Sequence, residues 1–157
     1  MKFTLSSNAL SSRLQTLAKV INSKNSLPIL ESFLFQVHNG QLTLTASDSE
    51  NVMQTSLALD QFDTDGDFAI PSHTVLDAVK ELPEQPLTFE VNMSTYEVTV
   101  DYQNGQYQFT AQNADEYPHT APIQNDVHAI TIGATALSEN INRTLFATDN
   151  NEIRPVM

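Results

Sequence analysis

The sequence has no cysteine. A disulfide framework, a thiolate metal site and a thiol nucleophile are therefore excluded, and the composition suits a reducing compartment. Glycine is scarce, four residues in all, and none belongs to a phosphate-cradling loop or a Gly-x-Ser-x-Gly nucleophile turn. No apolar run approaches the ~20 residues of a membrane span, and the first residues hold no continuous apolar stretch of signal-peptide length. The expectation is a cytoplasmic protein without a membrane partner. His38, His73, His119 and His128 stand at no ligand spacing from one another, so neither a metal nor another cofactor is expected. Asp63-Thr64-Asp65-Gly66-Asp67 looks superficially like a calcium loop. Its glycine falls fourth rather than sixth, however, and Thr74 occupies the twelfth position where a bidentate glutamate is needed. It reads as an acidic turn. Paired acids such as Asp115-Glu116 lie beside turn residues with no surrounding constellation, and no catalysis is expected.

What is present is a chain of 157 residues with 40% apolar content, enough for about one domain with a real core. The formal charge of −12 argues against nucleic acid, because phosphate binding normally shows as a basic excess. Its distribution changes that reading. Residues 1–30 hold Lys2, Arg13, Lys19 and Lys24 and no acid, whereas the rest of the chain carries all nineteen acids against three bases. The acid-free segment is either an ordinary solubilising helix face or a weak, sequence-blind phosphate contact made of hydroxyls, amides and a few ammonium groups.

A fixed internal period decides architecture before local structure does. Residues 3–30 align without a gap on residues 130–157 at an offset of 127, with Thr4/Thr131, Ala9/Ala136, Leu10/Leu137, Ser11/Ser138 and Pro28/Pro155 identical. A fainter copy at offset 65 matches Phe3, Leu5, Leu10, Leu14 and Leu17 to Phe68, Ile70, Val75, Val79 and Leu82. Each copy predicts a strand followed by a helix. Residues 1–118 are expected to form a first domain, 119–128 a linker, and 129–157 the start of an incomplete second domain whose apolar helix face has no sheet to cover it. The expectation is a fragment of a longer protein.

Strand Met1–Ser6 leads to a helix over about 8–21, capped by Ser7 or Asn8, with Leu10, Leu14, Leu17 and Ile21 on one stripe. Lys19 falls opposite that stripe and Arg13 at its flank. Strands are predicted over Glu31–His38, Gln41–Ser47 and Val52–Asp60, the first two joined by an Asn39-Gly40 hairpin. The order then repeats: strand Asp67–Ile70, helix about Ser72–Leu82, and strands Leu87–Asn92, Tyr96–Tyr102 and Gln106–Ala111, with Asn104-Gly105 at the last turn. The fold class is α+β: two βαβββ halves whose sheets bury one face of each helix and leave the other free.

Met1-Lys2-Phe3-Thr4, Ser26-Leu27-Pro28-Ile29-Leu30, the run Leu42–Glu50 and Ala114-Asp115-Glu116-Tyr117-Pro118 resemble the bacterial DNA polymerase III beta subunit, the replicative sliding clamp. The resemblance extends over essentially the whole chain. It implies the DNA-clamp fold, with antiparallel sheets outside and helices on one inner face, in a head-to-tail homodimer ring around duplex DNA. It implies a non-catalytic processivity subunit whose partners are the polymerase III catalytic subunit and the clamp loader, bound through regions mostly beyond residue 157. Family DNA contacts carry over to Lys24, His73, Asn151, Pro155 and Val156; Arg154, Lys19 and Arg13 are further basic candidates. His73 stands where relatives often have arginine, and Pro155 and Val156 where they often have aromatics. Tyr107 and Phe109 lie on the strand matching the family's ring interface, the alternative being an internal core strand. Met157 touches the rim of the family's partner-peptide pocket.

A second functional class, a soluble β-rich protein-interaction module with no nucleic-acid role, is also compatible with the negative charge. Lys24→Ala is expected to weaken DNA contact at low salt without lowering the thermal midpoint of the domain; unchanged affinity would remove Lys24 from the contact set.

Overall fold

The computed structural model describes residues 1–21, 27–118 and 130–148. The chain divides into two compact units, Met1–Thr120 and Ala121–Met157.

In the first unit β1 (Lys2–Ser6) runs directly into α1 (Ser7–Leu17). The Ser6 side chain caps the helix by accepting from the Ala9 amide at 3.1 Å. The expected caps, Ser7 and Asn8, do not serve. Ser7 is instead buried, its hydroxyl donating to the Pro83 carbonyl at 2.8 Å and accepting from the Gln85 amide at 3.0 Å. α1 also stops short of the predicted residue 21, because the amides of Lys19, Val20 and Ile21 bond three residues back and tighten the last turn. A 3₁₀ turn (Pro28–Glu31) precedes β2 (Ser32–His38), β3 (Gln41–Ser47) and β4 (Val52–Ala58). Asn39 and Gly40 take φ of 51° and 77°, the left-handed pair that a two-residue hairpin with matching twist requires.

The second half follows as β5 (Gln61–Phe62), β6 (Gly66–Pro71), α2 (Ser72–Val79), β7 (Pro86–Val91), β8 (Glu97–Tyr102), β9 (Gly105–Thr110) and β10 (Gln112–Asn113). α2 ends before the predicted Leu82, whose amide bonds back to Val79. The last hairpin turns one residue earlier than its Asn-Gly signal suggests. Gly105 already pairs with Tyr102, so the loop is Gln103-Asn104, and the Gln103 amide is held by Gln85 Oε1 at 2.8 Å.

The βαβββ order is as predicted, but the two halves do not form separate sheets. One sheet runs β5-β1-β7-β8-β9 and the other β10-β6-β2-β3-β4, so each half lends its first strand to the other half's triplet. The two-residue strands β5 and β10, absent from the sequence reading, are where the chain crosses over. Asp60 and Ala111 donate across to Thr4 and Tyr96, tying each crossover in place.

Phenylalanines fasten the sheets to each other. Phe3 and Phe89 are cross-strand partners with rings stacked 5.0 Å apart, and Phe35 and Phe68 are partners at 5.2 Å in the other sheet. Between sheets, Phe3–Phe68 and Phe35–Phe89 close the square at 6.4 and 6.3 Å. Leu10, Leu14 and Leu17 of α1 and Val75 and Val79 of α2 pack into the same core. The offset-65 copy is therefore structural, with both members placing a strand and a helix in equivalent positions.

In the second unit α3 spans Ala134–Thr144, the α1 range displaced by 127. The helix of the longer repeat is thus formed. The expected strand at Ile130–Ile132 is not, because a strand needs a hydrogen-bonded neighbour and these residues have none among the described ones. Leu137 and Ile141 are 47% and 52% exposed, whereas their counterparts Leu10 and Leu14 are fully buried.

Phe89→Ala is expected to cost about 3–5 kcal/mol in urea unfolding, since it empties one corner of the aromatic square. A second test concerns Tyr117, a buried residue of a smaller cluster with Leu30 and Leu34. Burial pushes its phenol up to about 12, and the nearby Ser47 backbone offsets only part of that rise. The phenol stays neutral in the fold while the unfolded chain ionises near pH 10, so this contribution is complete below about pH 10 and lost as pH rises to about 12. Tyr117→Phe should flatten the alkaline loss of stability followed by circular dichroism; an unchanged profile would assign that loss elsewhere.

Candidate nucleic-acid interface

The three described cations of residues 1–30, Lys2, Arg13 and Lys19, do not form one patch. Lys2 leaves β1 on the far side from α1 and pairs with Glu90, whose hydrogen bond and charge raise the ammonium pKa. The Lys2 amide also donates to Asp63 at 2.6 Å, which holds that carboxyl below its usual range. Asp65 and Asp67 gather on His38, the closer contact being Nε2 to Asp67 at 2.7 Å. The start of β1 is thus an acidic end of the molecule.

Arg13 lies in a groove between α1 and β4 that Met53, Gln54 and Thr55 also line. Lys19 lies elsewhere, in an open groove of about 570 Å³ beside α1 whose other walls are Asn8, Ser11, Ser12, Gln15, Thr16 and Lys80. The groove exists because α1 and α2 pack side by side, with Ser7 pinned to the segment that follows α2. Among the described residues no carboxylate lines it. Lys80, the residue after α2, is its second cation, and sequence reasoning passed over it. The signal was available: the offset of 65 maps Lys80 onto Gln15, which occupies the free face of α1.

His73 is exposed in the first turn of α2, its Nε2 3.2 Å from the Thr74 hydroxyl, and lines neither groove. Tyr107 and Phe109 lie on β9, the outer strand of its sheet among the described residues. Both side chains are half-buried against the core, and Tyr107 stacks on Tyr102 at 5.1 Å. Lys24, Asn151, Arg154, Pro155, Val156 and Met157 lie outside the described residues, as do His119 and His128.

Two five-stranded antiparallel sheets, joined by exchanged first strands and carrying two adjacent helices with a groove whose described lining holds no carboxylate, define an α+β module of the DNA-clamp class. The DNA polymerase III beta subunit N-terminal domain model matches residues 1–121, and the chain belongs to that family. The beta sliding clamp of Synechococcus elongatus is 31% identical over 160 residues, covering all of this chain and 42% of the relative. That of Bacillus subtilis is 26% identical, covering all of this chain and 43% of the relative. The crystal structure of DNA polymerase III subunit beta from Pseudomonas aeruginosa superposes with a TM-score of 0.87 at 26% identity, over 98% of this chain and 41% of that one. The DNA polymerase sliding clamp of Bacillus subtilis gives 0.85 at 26%, over 99% and 42%. The chain therefore spans less than half the length of the relatives it matches.

Proposed function

We propose that this chain is the leading part of a DNA sliding clamp: a ring dimer that encircles duplex DNA and confers processivity on a replicative polymerase without catalysing a reaction itself. The observation that carries this reading is the groove between α1 and α2, cationic at Lys19 and Lys80 and, among the described residues, free of carboxylates on a protein whose charge is −12. Membership of the beta-subunit family supports it.

The physics is topological. A closed ring converts weak, sequence-blind contacts into lasting attachment, because escape requires opening a protein interface. Acids gathered at the start of β1 repel phosphate from that end. β9, an edge strand bearing Tyr107 and Phe109, supplies unpaired backbone groups suited to pairing with another chain. Residues 119–128 act as the linker to a second clamp domain, in which α3 repeats α1. Lys24, His73, Asn151, Arg154, Pro155 and Val156 contact DNA in this reading, with Arg13 at the flank. Met157 edges the pocket for polymerase and clamp-loader peptides, and the setting is the cytoplasm. Among the described residues no helix is long and apolar enough to cross a membrane.

The ring that carries this chain as its first domain should be retained on nicked circular DNA and released when the circle is linearised. Equal retention on both forms would reject encirclement and favour an interaction module.

A further inference from the structure

We infer that Gln85 is a positioning residue for the outer strand β9: its side-chain carbonyl holds the turn from which that strand leaves, and so sets the twist with which β9 meets another chain. The inference rests on the ring reading, in which β9 pairs between chains. β9 starts from a two-residue loop, Gln103-Asn104, closed by the Tyr102–Gly105 pair. Neither loop residue has a positive φ. The two-residue turns whose twist matches that of paired strands need a positive φ at the first loop residue, so β8 and β9 are joined by a turn of the kind that splays its strands. The β2–β3 hairpin, with Asn39 and Gly40 at 51° and 77°, has the matching kind.

The support for this turn comes from outside the hairpin. Gln85 is buried in the segment between α2 and β7, and its Oε1 accepts from the Gln103 amide at 2.8 Å, a donor that lies outside the ladder. Its backbone is fixed independently: the Gln85 amide donates to Ser7 Oγ at 3.0 Å, and its carbonyl accepts from the Ser7 amide at 2.9 Å. The side chain thus reaches the turn from a rigid base. At the turn the Tyr102 ring folds over Gly105, where a Cβ would lie 2.8 Å from the phenol oxygen, and stacks on Tyr107 at 5.1 Å. Tyr107 belongs to β9, so the placement of the turn passes directly to that strand. The far end of β9 is fixed separately, by the Ala111 amide donating to the Tyr96 carbonyl at 2.7 Å. Turn type sets the register and twist of a hairpin, and cross-chain pairing needs a matching twist.

The experiment measures dimer dissociation by sedimentation of the ring that carries this chain as its first domain. Gln85→Leu removes the acceptor and keeps the bonds to Ser7, which use the Gln85 backbone. It should weaken ring association by about fivefold, the effect of one net hydrogen bond. The Gln103 amide should exchange faster with solvent while the β7 amides keep their protection. Adding Gln103→Pro should recover native association, because proline suits the first position of a turn with negative φ and has no amide to hold. Native association in Gln85→Leu would overturn the assignment, as would a loss that Gln103→Pro does not recover, since the defect would then lie in general packing and not in the turn. A native protein that forms no dimer removes the ring reading and this inference together; a native-strength dimer in Gln85→Leu removes the inference alone.

Discussion

Four phenylalanine rings hold the first unit together, and everything functional is placed by them. Phe3 and Phe89 pair within one sheet, Phe35 and Phe68 within the other, and each pair touches the opposite one. Two of the rings come from each half of the sequence. Because offset-stacked and tilted aromatic contacts are geometrically selective, the square sets how one sheet lies on the other. It also accounts for the exchange of first strands: Phe3 reaches Phe89 only if β1 joins the sheet of the second half, and Phe68 reaches Phe35 only if β6 joins the sheet of the first.

The exchange has a consequence for charge. Each helix follows an exchanged strand, so α1 and α2 arrive beside each other, and their polar faces share a groove. The opposite end of β1 collects Lys2, Asp63 and Glu90 into a mutually satisfied acidic cluster. Of the nineteen acids, none among the described residues lines this groove. The separation depends on the direction in which β1 runs, with Lys2 at one end of the strand and the α1 cap at the other.

Weakness is the useful property of such a groove. A protein that grips DNA through many phosphates becomes steeply salt-dependent and slow to move, whereas a ring needs its lining only to centre the duplex. Under the proposed function, two lysines and a wall of partly self-bonded side chains match that requirement. In the ring proposed above, attachment depends on interfaces between chains, and the edge of β9 offers unpaired backbone groups of the kind such an interface uses.

Much of the fold was legible in the residue pattern. Alternation marked the long strands, Asn39-Gly40 marked a hairpin, and the offset of 127 announced the helix that forms as α3, because these are local or periodic properties of the chain. Helix ends were missed where 3₁₀ bonding tightens the last turn after Leu17 and Val79, and the two-residue strands β5 and β10 are too short to show a period. The acid-free start of the chain was visible as a count, but a count has no direction. Only packing determined that Lys2 is consumed by Glu90, that Arg13 faces β4, and that Lys80, sixty-one residues away, stands with Lys19. Sequence determines which faces must be buried, through the spacing of apolar residues; tertiary structure alone decides which polar faces become neighbours, because that depends on which strands the buried rings bring together.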